Sequence, residues 1–140
     1  MRRIGYLVAA AIAAATLPLS AGPAAAASSA EVNCSTSGGS GTGKWTWSSK
    51  YKLSNVRLTA RDLAADGRHV AIRLVTLKSN DTMHYWPYHH MYGGNGNQDT
   101  WTSSANDTAG IKRANIELAI FNGKTLIREC GGASKANPYW

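Results

Sequence analysis

The chain has 140 residues, 44% of them hydrophobic, and carries 15 Lys and Arg against 8 Asp and Glu, a formal charge of +7. That length supports one domain with a modest core of its own. Eight carboxylates, mostly in turn-like sequence, argue against a glycosidase acid–base pair, and two cysteines without Cys-x-x-Cys spacing supply no metal cluster.

Met1-Arg2-Arg3 precedes an apolar run from Ile4 to about Leu19, which ends in Ser20-Ala21-Gly22-Pro23 and an alanine tract. Two cations, an apolar stretch shorter than the ~20 residues of a membrane span, and small residues at Ala25-Ala26-Ala27 predict a secretory signal over residues 1–27. Its removal leaves 113 residues with 13 cationic and 8 anionic side chains, a charge of +5. The protein is therefore expected to be secreted, extracellular and without a membrane span after cleavage. The remaining cations are scattered from Lys44 to Lys135 with no nucleic-acid arm, so a solvated surface is the simpler reading and a nucleic-acid partner is not expected.

Residues 28–43 are rich in Ser and Gly and read as a flexible N-terminal segment, pinned at Cys34. Cys34 and Cys130 are expected to pair in an oxidising compartment, with a loop-closure stabilisation of ~4–5 kcal/mol in the chain-entropy model. That bridge brings the N-terminal segment close to the last strand.

The domain proper is expected over 44–133, with a C-terminal tail at 134–140. Between Tyr51 and Ala60 the apolar phase changes, Tyr51 and Leu53 against Val56, Leu58 and Ala60, which predicts a bulge near Ser54-Asn55. Ala60 to Ala65 has room for one helical turn. Asp66-Gly67 predicts a turn, and Val70, Ile72 and Leu74 then alternate with Ala71, Arg73 and Val75 in a strand. Two Asn-Asp-Thr triplets, at 80–82 and 106–108, fit side-chain-to-backbone turns. The long interval from Lys78 to Gly110 is expected to hold irregular strands around Met83–Met91 and Thr100–Ser103.

Ile116, Leu118 and Ile120 alternate with Asn115, Glu117 and Ala119, and Asn122-Gly123 then signals a hairpin. A two-residue turn there would set Glu117 opposite Arg128 and Leu118 opposite Ile127. No useful helical period occurs. The expected fold is all-β: a small antiparallel β-sandwich of six to eight strands closed by one disulfide.

Met83 to Gly94 holds three of the four histidines and four of the twelve aromatic residues, which marks it as the segment to question. Three readings compete. Tyr85, Trp86, Tyr88, His89, His90 and Tyr92, with Trp101 nearby, can form a surface for a partner protein or a surface glycan. His84, His89 and His90, with Met83 or Met91, can offer ligands to copper, although His89 and His90 would point to opposite faces if extended. The third reading has the aromatics filling one end of the sandwich.

A secreted ribonuclease would need a histidine base, Glu117 or Glu129 beside it, and Arg73 or Arg128 for the phosphate. No strand of the sequence presents that set together. Gly-x-Ser-x-Gly and His-Glu-x-x-His are both absent. No catalytic residue, metal or cofactor is assigned, and a secreted enzyme inhibitor stays open as a third function.

The alanine-rich leader, Trp45-Thr46-Trp47-Ser48, Asp66-Gly67-Arg68-x-Val70-x-Ile72-Arg73 and Asn137-Pro138-Tyr139 together resemble small secreted β-proteins of actinobacteria, chiefly Streptomyces. Some such proteins act as the adaptor of umbrella-shaped antibacterial toxin particles and donate an N-terminal strand. The resemblance implies an adaptor role through the Ser28–Gly43 segment, and it implies no catalytic residue.

Overall fold

The computed structural model describes residues 27–140, and the expected leader therefore lies almost wholly outside the described residues. Within them the chain is all-β and antiparallel, with no helix. One sheet is ordered β1 (Ser29–Thr36), β2 (Gly39–Trp47), β3 (Lys52–Asp62) and β7 (Gln98–Asn106). The other is built on β4 (His69–Leu77) and β8 (Arg113–Asn122) at its centre. Beside β4 run the short pieces β5 (Met83–Tyr85) and β6 (His89–Met91); beside β8 run β9 (Thr125–Gly131) and β10 (Lys135–Ala136). Both outer positions of this sheet are thus strands broken in two.

The core lies between the sheets. Leu53, Val56, Leu58 and Ala60 of β3 meet Val70, Ile72 and Leu74 of β4 and Ile116, Leu118 and Ile120 of β8, all buried. The expected phase change is present: Asn55 takes a left-handed φ of 51°, and the β3–β7 register shifts between Leu53 and Val56. One extra residue there keeps both apolar runs facing inward. Gly67, at φ 71°, makes the turn after Asp66. In the two Asn-Asp-Thr turns, Asn80 Oδ1 accepts from the Thr82 N–H, and Asp107 Oδ1 accepts from that of Ala109.

Three expectations need correction. The segment 28–43 is a paired hairpin, with β1 and β2 in continuous register from Ser29–Thr46 to Thr36–Gly39. Gly39, Gly41 and Gly43 face the opposite sheet, and a Cβ on Gly39 would stand 2.9 Å from Ile120 and one on Gly41 3.0 Å from Ile72 and Leu118. These glycines allow close sheet packing, which composition alone mistakes for a linker. Secondly, no helical turn forms at 60–65, because β3 continues through Asp62.

Thirdly, the β8–β9 register differs. Gly123 and Lys124 are the two turn residues, Gly123 at φ 59°, so Asn122 pairs with Thr125. Only the first turn position has positive φ, the pattern of a II′ turn. A bulge at Ile127 adds a further shift, and Glu117 and Leu118 lie opposite Gly131 and Cys130. The C-terminal tail, residues 134–140, packs back on the domain. Buried Asn137 donates to the carbonyls of Ser49 (3.0 Å) and Ile111 (2.8 Å), and the Trp140 indole N–H also donates to Ile111.

The disulfide joins Cys34 of β1 to Cys130 of β9, 96 residues apart, and so ties the two sheets together along one side. A disulfide is compatible with an oxidising compartment. No helix among the described residues is long and apolar enough to cross a membrane.

Candidate functional site

Strand alternation leaves two outer faces, and the one on the second sheet is unusual. Its β4 row is His69, Ala71, Arg73 and Val75, and its β8 row is Phe121, Ala119, Glu117 and Asn115, paired in that order. Arg73 and Glu117 sit directly opposite each other. The Arg73 Nε and Nη2 donate to Glu117 Oε1 at 3.0 and 2.6 Å, and the two side chains are only 21% and 15% exposed.

The broken edge strand supplies the layer over this pair. Pro87 has no N–H to give to a ladder, so pairing with β4 lapses between β5 and β6. Tyr88, next in the chain, donates its hydroxyl to Glu117 Oε1. The Arg73 guanidinium lies 4.2 Å from the Tyr88 ring centre and 4.5 Å from that of Tyr85. Burial, and then the hydrogen bond to Glu117, raise the Tyr88 pKa above the ordinary phenol value, which keeps it a donor.

Toward the other end of the face the layer continues through Phe121, His90, His69 and Tyr92. His69 stacks on Phe121 (5.5 Å between centres, 14° between planes) and lies 4.5 Å from Tyr92, while His90 and His69 share a hydrogen bond of 2.9 Å. Ala71 and Ala119 point to this outer side and yet are fully buried, which the aromatic layer above them accounts for. Tyr85 and Tyr92, at the two ends, are 52% and 74% exposed. Burial lowers the His69 pKa, as does the nearby His90, against a smaller opposite pull from Asp62.

Beyond Tyr92 the face opens into a cleft of about 620 Å³ bounded by the β3–β4 loop, the β6–β7 loop and the β8–β9 turn. His69, Tyr92, Arg68, Asn95 and Lys124 are among the residues that line it, as is Asp62. Asp62 is 2% exposed; its Oδ1 accepts from the Ala64 N–H, and its Oδ2 has no partner among the described residues.

The seven residues expected to form a site therefore divide. Tyr85, Tyr88, His90 and Tyr92 come together on the outer face. Trp86, His89 and Trp101 turn instead to the seam where β6 meets β7, partly buried, with Trp86 and Trp101 against the core. There Trp86 donates to Thr76 Oγ1 at 3.1 Å, His84 stacks on Trp86 at 4.3 Å, and His89 stacks on Trp101 at 5.2 Å. Burial and then His90 lower the His89 pKa. His84 Nδ1 contacts Asp107 Oδ2 at 3.0 Å. Burial pushes the Asp107 carboxyl upward, but His84, the Ala109 N–H and Lys78 outweigh it and hold the group below its ordinary value.

His89 and His90 do point to opposite sides, paired with inward Ile72 and outward Ala71. Among the described residues no group of three His, Cys, Asp or Glu is placed to hold a metal ion. His69 and Phe121 belong to the face but carry no local signal. Only their alternation, out of phase with the core on β4 and β8, points to them. The chain matches no protein-family model, and no curated protein or solved structure is significantly similar to it.

Proposed function

We propose that this is a secreted, non-enzymatic binding protein that docks a second extracellular protein on the outer face of its second sheet. The observation that carries the reading is the aromatic layer around the half-buried Arg73–Glu117 pair, on a face that a sandwich ordinarily leaves polar. Tyrosine and arginine held in fixed positions are the side chains that anchor protein interfaces, because little conformational freedom is lost when they are covered. Tyr85 and Tyr92 offer rigid exposed rings, and the Arg73–Glu117–Tyr88 network fixes the surface between them.

An adaptor within a larger secreted assembly is the form we favour. Strand donation is the less economical route to it, because Ser29–Thr36 is already paired along its length with β2 and tied at Cys34. Docking through the face leaves that hairpin intact. The test is affinity capture by the tagged mature protein from its producer's culture supernatant, beside a Tyr85→Ala/Tyr92→Ala variant. One stoichiometric protein retained by the wild type and lost by the variant supports the reading. Retention of a glycan instead, or equal capture by both, refutes it. If the captured protein is an enzyme whose activity falls, the docking is inhibition.

The ribonuclease-like alternative has one observation in its favour: Arg73, Glu117 and His90 lie on three neighbouring strands of one face. Glu117, however, already accepts from both Arg73 and Tyr88 through Oε1, an arrangement that holds the carboxylate within the surface network rather than presenting it to a substrate. RNA cleavage by the wild type, abolished in His90→Ala and Glu117→Gln, would reverse this preference.

A further inference from the structure

We propose that the outer face of the first sheet binds a phosphodiester-linked polyol chain of the cell surface, with Lys52, Arg57 and Arg61 as its cationic contacts. In sequence these cations look scattered. Lys52 and Arg57 are five apart, which in a regular strand puts them on opposite faces. The bulge at Asn55 inverts the phase, so Lys52, Arg57 and Arg61 all project outward while Leu53, Val56, Leu58 and Ala60 stay buried. Arg57 and Arg61 are then about 13 Å apart along the strand at ~3.3 Å per residue.

The surroundings suit an anion. Two shallow depressions, of about 220 and 460 Å³, share Arg57. Thr42, Lys44, Thr59, Gln98 and Thr100 complete the first, and Lys52, Asn55 and Thr102 help to line the second. No carboxylate lines either one. Glu31, across on β1, is taken up by Lys44 at 3.1 Å, and among the described residues Lys52, Arg57 and Arg61 enter no ion pair. Guanidinium groups match phosphate oxygens in a fork, and the Ser and Thr hydroxyls between them can bond to a polyol.

The same face is poorly made for nucleic acid. Its outward residues on β1, β2, β3 and β7 include no aromatic ring on which a base could stack, and the face of a four-stranded sheet is broader than the helix or two-stranded ribbon that a major groove admits. The cationic face and the aromatic face lie on opposite sides of the sandwich, so this binding is independent of the partner protein proposed above.

The experiment is binding of the mature protein to purified poly(glycerol phosphate) at 50 and 200 mM NaCl, measured by calorimetry. With three phosphate contacts, affinity is expected to fall roughly tenfold to twentyfold between those salts. Arg57→Gln/Arg61→Gln should lose at least tenfold at the lower salt, with its melting temperature unchanged because both side chains are exposed. Lys124→Gln/Lys135→Gln removes the same charge away from the face and should bind like the wild type. Equal loss in both double variants would reduce the effect to net charge and overturn the proposal. So would absence of binding, or equal affinity for an oligothymidylate of matched charge.

Discussion

The two outer faces of this sandwich are built from the same strand alternation and do opposite things with it. On the first sheet the outward positions are Ser, Thr, Asn, Gln, Lys, Arg and the single carboxylate Glu31, solvated and joined by single contacts such as the Thr59–Thr100 hydroxyl pair at 2.8 Å. On the second sheet they include tyrosine, histidine, phenylalanine and one ion pair, interlocked closely enough to bury Ala71 and Ala119. The difference comes from the edge. β7 is one continuous nine-residue strand, whereas β5 and β6 are separated by Trp86-Pro87-Tyr88, which is free to send Tyr88 across the face and Trp86 into the seam. A break in an edge strand has thus given one face a second layer.

Substitutions should separate the faces by the size of their effect. Arg73→Ala leaves the half-buried Glu117 with only Tyr88 as a partner, and chemical unfolding should show a loss of about 3 kcal/mol. Tyr88→Phe removes one hydrogen bond to a charged acceptor and should cost about 1.5 kcal/mol in the same assay. Thr59→Val, on the solvated face, should stay within about 0.5 kcal/mol of the wild type. A Thr59 effect as large as that of Arg73 would erase the distinction.

Acid sharpens the same contrast. His69 and His89 have folded-state pKa values below 6.5, so on acidification the unfolded chain takes up protons that the folded chain resists. Their contribution to stability is complete above about 6.5 and is lost as the pH falls through that value toward their folded ones. Asp107, held below 3.8, adds a second loss at lower pH as its carboxylate is protonated. Unfolding free energy should therefore decline from pH 7 to 5, and His69→Gln/His89→Gln should flatten that first decline. A profile unchanged by the double substitution would remove the histidines from the account.

Much of the frame was legible in the chain because its signals are local. The phase change around Asn55, the Asp66-Gly67 turn, both Asn-Asp-Thr turns and the alternation on β4 and β8 each depend on neighbouring residues. What escaped depends on partners far away. Gly39, Gly41 and Gly43 resemble a linker until Ile72, Leu118 and Ile120 are set against them. The β9 register hangs on a turn at Gly123-Lys124 in place of Asn122-Gly123, and on a bulge at Ile127 that no residue type announces. The site divides in the same way: Tyr85 to Tyr92 stood out by composition, but which rings face outward follows from pairing with β4. Glu117 finds Arg73, 44 residues earlier, rather than Arg128.

The central claim is that the aromatic face, and not the polar one, meets the partner protein. Site-specific photo-crosslinking tests it most directly, with a benzophenone side chain placed at Tyr92 in one protein and at Thr102 in another. The account predicts a single cross-linked protein partner from position 92 and none from position 102. A protein cross-linked from position 102, or equally from both, would contradict it.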